Sequence, residues 1–153
     1  MTIEWVCKHH SDLGKEQLYA LLKLRDEVFV VEQKCAYQDL DGLDLDGDTC
    51  HLMGWEGDEL VAYLRLLDPT SQGGDVVIGR VVTAESTRGK GLGHELMKQG
   101  LKQAEKYWPD VPIYLSAQAH LQGYYANYGF EVAGEPYVED GIPHIGMRRV
   151  SSL

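Results

Sequence analysis

With 153 residues and a formal charge of −10, the chain is long enough to bury one core without disulfide or metal staples. The acidic balance excludes a general nucleic-acid binder, which needs a Lys/Arg-rich face. Cys7, Cys35 and Cys50 show no CxxC spacing and read as reduced thiols. Met1 to Trp5 carry no basic stretch leading into a long apolar run, and no segment could span a bilayer, so the cytoplasm is the expected location.

A single domain over residues 1–153 is expected, without linker or repeat. Ile3 to Lys8 reads as a first strand, and Ser11 or Asp12 can cap the helix that follows. Leu18, Leu21, Leu22, Arg25, Val28 and Phe29 recur at helical spacing, which carries that helix to about Glu32. Residues 34–48 are polar and Asp-rich and read as a loop. His51–Trp55 and Leu60–Leu67 flank a Gly-Asp turn and predict a hairpin. Val76–Thr83 is rich in β-branched residues and predicts a central strand. Leu92, Leu96, Met97, Leu101, Ala104 and Trp108 mark one face of a long helix that Pro109 and Pro112 end. Ile113–Ser116 predicts a strand, residues 119–128 a helix stopped by Gly129, and Phe130–Val132 and Ile145–Val150 the last two strands. The order is an α/β (α+β) mixture with a mainly antiparallel start.

Residues Arg88-Gly89-Lys90-Gly91-Leu92-Gly93 join the central strand to the long helix. Glycines let backbone amides approach an anion, the helix N-terminus favours negative charge, and Arg88 and Lys90 add a local basic pair. Phosphate is the expected ligand. The dinucleotide spacing GxGxxG fails, because its third glycine falls on His94, and the P-loop pattern is absent. What remains is Arg-x-x-Gly-x-Gly between a strand and an amphipathic helix.

That motif resembles the RxxGxG signature of the GNAT superfamily of N-acetyltransferases. The strand Ile78 to Thr83 resembles the superfamily strand beside the acyl thioester, and Tyr124-Tyr125-Ala126-Asn127-Tyr128-Gly129-Phe130 is similar to its second signature. The segments 24–33, 115–121 and 139–147 are similar to the bacterial ElaA group. The resemblance implies a GNAT-type fold, a mixed sheet of six to seven strands flanked by about four helices. It also implies acetyl-CoA as co-substrate. Arg88, Gly89, Lys90, Gly91, Leu92 and Gly93 would hold its pyrophosphate, and Val81, Val82 and Thr83 would offer a backbone donor to the carbonyl. Gln118 stands where many relatives carry an Asn that orients the coenzyme.

Acetyl transfer to an amine requires a neutral amine, a stabilised carbonyl oxygen, a proton for the departing thiolate and alignment of both substrates. Tyr125, at the tyrosine position of the second signature, is the candidate acid. Glu32, His120 and His144 are the candidate bases, and water is the alternative to all three. Arg25, Phe29, Glu32 and His144 are the candidate acceptor contacts. Arg25 binds either a substrate carboxylate or a loop aspartate. Attack is expected to be direct, because no nucleophile sits at either signature.

Asp39, Asp41, Asp44, Asp46 and Asp48 do not form an EF-hand: counted from Asp44, the glycine and glutamate positions fall on Thr49 and Trp55. They read as an exposed acidic loop at the acceptor entrance. Cys50-His51 and His9-His10 lack metal-site spacing, so no metal is expected. The other function classes are a non-catalytic acyl-CoA sensor and, from the RxxVF stretch at Arg25, a synthase of acyl-homoserine-lactone-type signals. The acceptor is a small-molecule or peptide amine, with no nucleic-acid or membrane partner, in a monomer or homodimer.

Overall fold

The computed structural model describes residues 2–34 and 38–150; Cys35, and with it part of the expected 34–48 loop, lies outside them. The first strand, β1, covers Glu4–His9. Neither Ser11 nor Asp12 caps the following helix. Both belong to a short 3-10 turn, and helix α1 starts at Lys15, where the Gln17 side chain accepts the amide of Gly14 at 3.0 Å. The helix α1 ends at Arg25, and the coil continues as a π-helical segment over Asp26–Glu32.

Strands β2 (Cys50–Glu56) and β3 (Glu59–Leu67) form the expected hairpin, with Gly57 at φ 60 in its two-residue turn. The next strand, β4, spans Val76–Thr83, and helix α2 spans Leu92–Tyr107. The strand β5 (Ile113–Gln118) runs two residues longer than its apolar pattern suggests. A 3-10 turn then leads to the short helix α3, Gln122–Ala126, and Gly129 ends this region at φ 91.

Three strands close the chain: β6 (Glu131–Val132), β7 (Tyr137–Glu139) and β8 (Ile142–Arg149). The sheet therefore has eight strands, where six to seven were expected. The additional one is β7, a three-residue strand too short and too exposed to show a period of two. It pairs with β8 through a tight turn in which Asp140 and Gly141 take φ 50 and φ 77. Among the described residues there are three α-helices rather than about four.

All eight strands form one mixed sheet in the order β1-β2-β3-β4-β5-β8-β6, with β7 on β8 beside β6. Every neighbouring pair is antiparallel except β4 and β5, which are parallel. Helices α1 and α2 pack on β3 and β4, and α3 packs on β5. The core lies where these helices meet the central strands, around Leu21, Leu52, Tyr63, Leu64, Leu96 and Met97. No helix among the described residues is long and apolar enough to cross a membrane.

Gly54 marks how tightly β1 to β3 pack. A Cβ there would lie 2.7 Å from the ring of Trp5 and 3.1 Å from the Ala62 methyl. Gly54→Ala is expected to destabilise the fold by about 1–3 kcal/mol through overpacking. Gly123, inside α3 with nothing within 4 Å of an added Cβ, should respond oppositely. Gly123→Ala is expected to stabilise by up to about 1 kcal/mol of helix propensity. Thermal unfolding of the two variants checks both signs.

Candidate active site

The parallel pairing of β4 and β5 lasts only for Val76 with Ile113 and Val77 with Tyr114. Beyond these two rungs the strands part. A groove of about 850 Å³ opens between them, lined by Ile78, Gly79, Arg80 and Val81 from β4 and by Leu115, Ser116 and Gln118 from β5. This is the carboxyl end of the one parallel pair, the place where open α/β sheets bind ligands. Phe29 and Lys34 close one side, Tyr125 and Leu121 another, and Glu139, Asp140, Ile142 and His144 of the β7–β8 hairpin a third.

The strand β4 is bulged at the groove. Arg65 of β3 pairs with Gly79 and Tyr63 with Val82, so the one residue between them on β3, Leu64, stands opposite two on β4, Arg80 and Val81. Arg80, in the bulge, takes φ 53. A left-handed conformation costs a residue with a Cβ about 1–3 kcal/mol and persists only where its surroundings enforce it. The Arg80 side chain joins a network of three arginines and three aspartates.

Asp44 holds Arg25 through two bonds of 2.7 and 3.2 Å and also accepts Nη1 of Arg65 at 3.1 Å. Asp39 accepts Nε of Arg25 at 2.9 Å. Asp41 takes both Nη atoms of Arg65 and lies 3.3 Å from Nη2 of Arg80. Burial raises the Asp41 and Asp44 carboxyls, but the guanidiniums outweigh it and hold both below the usual carboxylate range. Fully buried Arg25 thus pairs with loop aspartates and does not line the groove, which corrects its assignment as an acceptor contact. The aspartates are corrected in part: Asp44 is buried and Asp39 is half-buried against the arginines, whereas Asp41 is exposed and lines the groove while it holds Arg65.

Buried His51 completes this network. Its Nε2–H donates to the Asp44 carbonyl at 2.8 Å, so Nδ1 accepts the Tyr63 hydroxyl at 2.6 Å. Burial pushes the His51 pKa down.

Of the sequence candidates, Phe29, Val81, Gln118, Tyr125 and His144 line the groove. Burial, with a smaller push from Tyr124, raises the Tyr125 phenol, which keeps its O–H at neutral pH. His144 donates Nδ1–H to the Ile142 carbonyl at 2.7 Å, which leaves the Nε2 lone pair 3.6 Å from Glu139. The structure does not bring Glu32 or His120 into the groove. Glu32 accepts Nη1 of Arg88 at 2.5 Å beside a separate small depression, and His120 is exposed on the 3-10 turn. Sequence reasoning missed Arg80, Glu139 and Asp140. A charged residue inside the β-branched run of β4 was the available signal for Arg80.

The loop Arg88 to Gly93 follows β4 after a 3-10 turn at Glu85–Thr87 and is open to solvent at Arg88–Gly91. Gly89 and Gly91 take φ 82 and φ 77, with Gly91 as N-cap of α2. These conformations disfavour β-branched side chains and leave the α2 N-terminus without a side-chain cap, an arrangement that can accept an anion. Arg88 also bonds the Thr83 carbonyl at 3.1 Å, which ties the loop to the end of β4. His94 of α2 bonds the Tyr128 hydroxyl, which donates to Tyr124 at 3.1 Å, so the first turn of α2 stands beside the tyrosine helix. No cluster suited to a metal ion occurs among the described residues.

The sequence matches the acetyltransferase (GNAT) domain over residues 9–151. The chain belongs to the GNAT family of acyl-CoA-dependent acyltransferases. It is 56% identical over 147 residues to protein ElaA of Escherichia coli, with 96% of each chain covered. The crystal structure of that protein superposes with a TM-score of 0.91 at 55% identity over 97% of this chain and 99% of the other. The crystal structure of an acyl-CoA N-acyltransferase from Pseudomonas aeruginosa superposes with a TM-score of 0.96 at 63% identity, covering 97% and 100%.

Two outcomes test the buried network. Arg25→Met leaves Asp44 with a poorly compensated buried charge and is expected to cost about 3–5 kcal/mol in denaturant unfolding. Acid should weaken the fold in two stages. Folded His51 resists protonation, so below about pH 6.5 the unfolded chain binds more protons and stability falls. Asp41 and Asp44, held ionised by the arginines, add a second loss below about pH 4. Unfolding free energy measured from pH 8 to pH 3 checks the order.

Proposed function

We propose that the protein transfers an acetyl group from acetyl-CoA to an amine by direct attack. The observation that carries this reading is Tyr125: a phenol with a raised pKa, lining the groove between the splayed β4 and β5 and linked through its helix to the start of α2.

The amine lone pair attacks the thioester carbonyl carbon, a C–N bond forms and the C–S bond breaks. Backbone groups of the bulged segment at Val81, with Val82 and Thr83 following, meet the charge that grows on the carbonyl oxygen. Tyr125 gives its hydroxyl proton to the departing thiolate. His144 takes the amine proton on Nε2, because its Nδ1–H is committed to the Ile142 carbonyl. The imidazolium then faces Glu139, whose carboxylate lies 3.6 Å away. Gly89, Gly91 and the α2 N-terminus, with Arg88 and Lys90, cradle the pyrophosphate, and Gln118 on β5 orients the coenzyme. Phe29 supplies an apolar wall for the acceptor.

Incubation with acetyl-CoA and a panel of small amines and peptides, read by mass spectrometry, should give N-acetylated products and free CoA. Tyr125→Phe is expected to lower turnover about 10²- to 10⁴-fold with CoA affinity nearly unchanged. Unchanged turnover would remove Tyr125 from the acid role. His144→Gln should lower turnover with CoA affinity nearly unchanged.

A further inference from the structure

The bulge in β4 is held from outside the strand. Arg80 lies at φ 53, in the backbone region that favours glycine, yet its side chain is long and charged. Its Nε lies 2.9 Å from Oδ1 of Asp39, and its Nη2 donates to the Asp39 carbonyl at 2.9 Å and to Oδ2 of Asp41 at 3.3 Å. Both aspartates come from the loop before β2, and both are fixed in turn. Asp39 holds the buried Arg25, and Asp41 holds Arg65. Arg65 is the cross-strand partner of Gly79, the residue before the bulge, and a Cβ on Gly79 would lie 3.6 Å from its Nε. The loop therefore grips β4 through Arg80 on the bulge and through Arg65 across from it.

This grip coincides with the place where β4 turns its backbone to the groove. The β5 strand pairs no further than Val77, and β3 pairs with neither Arg80 nor Val81. No neighbouring strand sets the direction of the backbone at these two residues, both of which line the groove. What sets it is the conformation of Arg80, and that conformation is unfavourable for an arginine without its partners.

We propose that Asp39 and Asp41 are positioning residues: by holding the guanidinium of Arg80, they keep the β4 bulge left-handed and so aim the backbone donor of Val81 at the acyl carbonyl. This rests on the acyl-CoA reading above. Both aspartates reach the bulge through the guanidinium of Arg80, and Asp41 also lines the groove. An electrostatic donor helps only when fixed before charge develops, so the clamp contributes by preventing reorganisation.

The test uses acetyl-CoA labelled with ¹³C at the thioester carbonyl and the isotope-edited infrared band of the bound carbonyl. In the unaltered protein the band is expected below its position in free acetyl-CoA, because an aimed donor polarises the carbonyl. Arg80→Ala removes the clamp but keeps a Cβ, and should move the band toward the free position. Arg80→Gly also removes the clamp but adopts φ 53 without cost, and should retain more of the shift. Asp41→Asn should move the band toward the free position when Arg80 is present and add nothing in the R80G background, a non-additivity that marks action through Arg80. Calorimetric CoA affinity should stay within about threefold throughout, corresponding to well under 1.4 kcal/mol.

The proposal is overturned if the band is indifferent to both R80A and D41N, or if D41N moves it equally in the R80G background. R80A and R80G leave Arg65, Asp39 and Asp41 in place, so they decide the matter even if D41N does not fold. Acetyl-CoA that fails to bind the unaltered protein overturns the acyl-CoA reading itself; acetyl-CoA that binds with a band these variants cannot move overturns only the clamp.

Discussion

The site depends on how early the parallel pairing of β4 and β5 stops. Two rungs are enough to bring the strands into one sheet, and the parting that follows creates the groove. Continuous pairing would close the space with ladder hydrogen bonds and leave no groove between the strands. Continuity of the sheet is instead kept at its other joints: antiparallel β3–β4 on one side and β5–β8 on the other carry long registers. The opening is thus a local sacrifice of strand pairing inside a sheet that remains well bonded.

The second constraint is electrostatic. Three arginines from α1, β3 and β4 converge under one acidic loop, and their charges balance those of Asp39, Asp41 and Asp44. Buried ion pairs of this kind contribute little net stability, because desolvation offsets much of the attraction. Their effect is specificity of arrangement: each guanidinium has a fixed fork, so the loop can lie in one register only. His51 and Tyr63 extend the same control to β2 and β3 by hydrogen bonds whose donors and acceptors admit one tautomer. The net acidity of the chain is thus partly internal, since aspartates that look like a solvated loop are neutralised in pairs.

Much of the scaffold was legible because its signals are local. The strand Val76–Thr83 is a run of β-branched residues, α2 carries an apolar stripe ending near proline, and the β2–β3 hairpin has a Gly-Asp turn. The RxxGxG stretch was legible for the same reason, as glycines, basic residues and a helix start sit side by side. The misses involve neighbours distant in sequence. The strand β7 exists because β8 pairs with it, and three exposed residues carry no periodicity. Arg25 falls on the buried face of α1 as its spacing predicts, but nothing near it in sequence says whether its partner is substrate or Asp44. Glu32 looked free for proton transfer until Arg88, 56 residues away, proved to hold it.

The sequence by itself determined the order of elements apart from β7, the glycine-rich turn at the start of α2 and the family to which they point, because propensity, period and turn chemistry are properties of contiguous residues. Only the tertiary structure decided where β4 and β5 part, that Arg80 sits in a left-handed bulge, and that His144, rather than Glu32 or His120, faces the groove. Those features arise from pairing registers and charge contacts between segments tens of residues apart. Their energies depend on burial and geometry that no local pattern encodes.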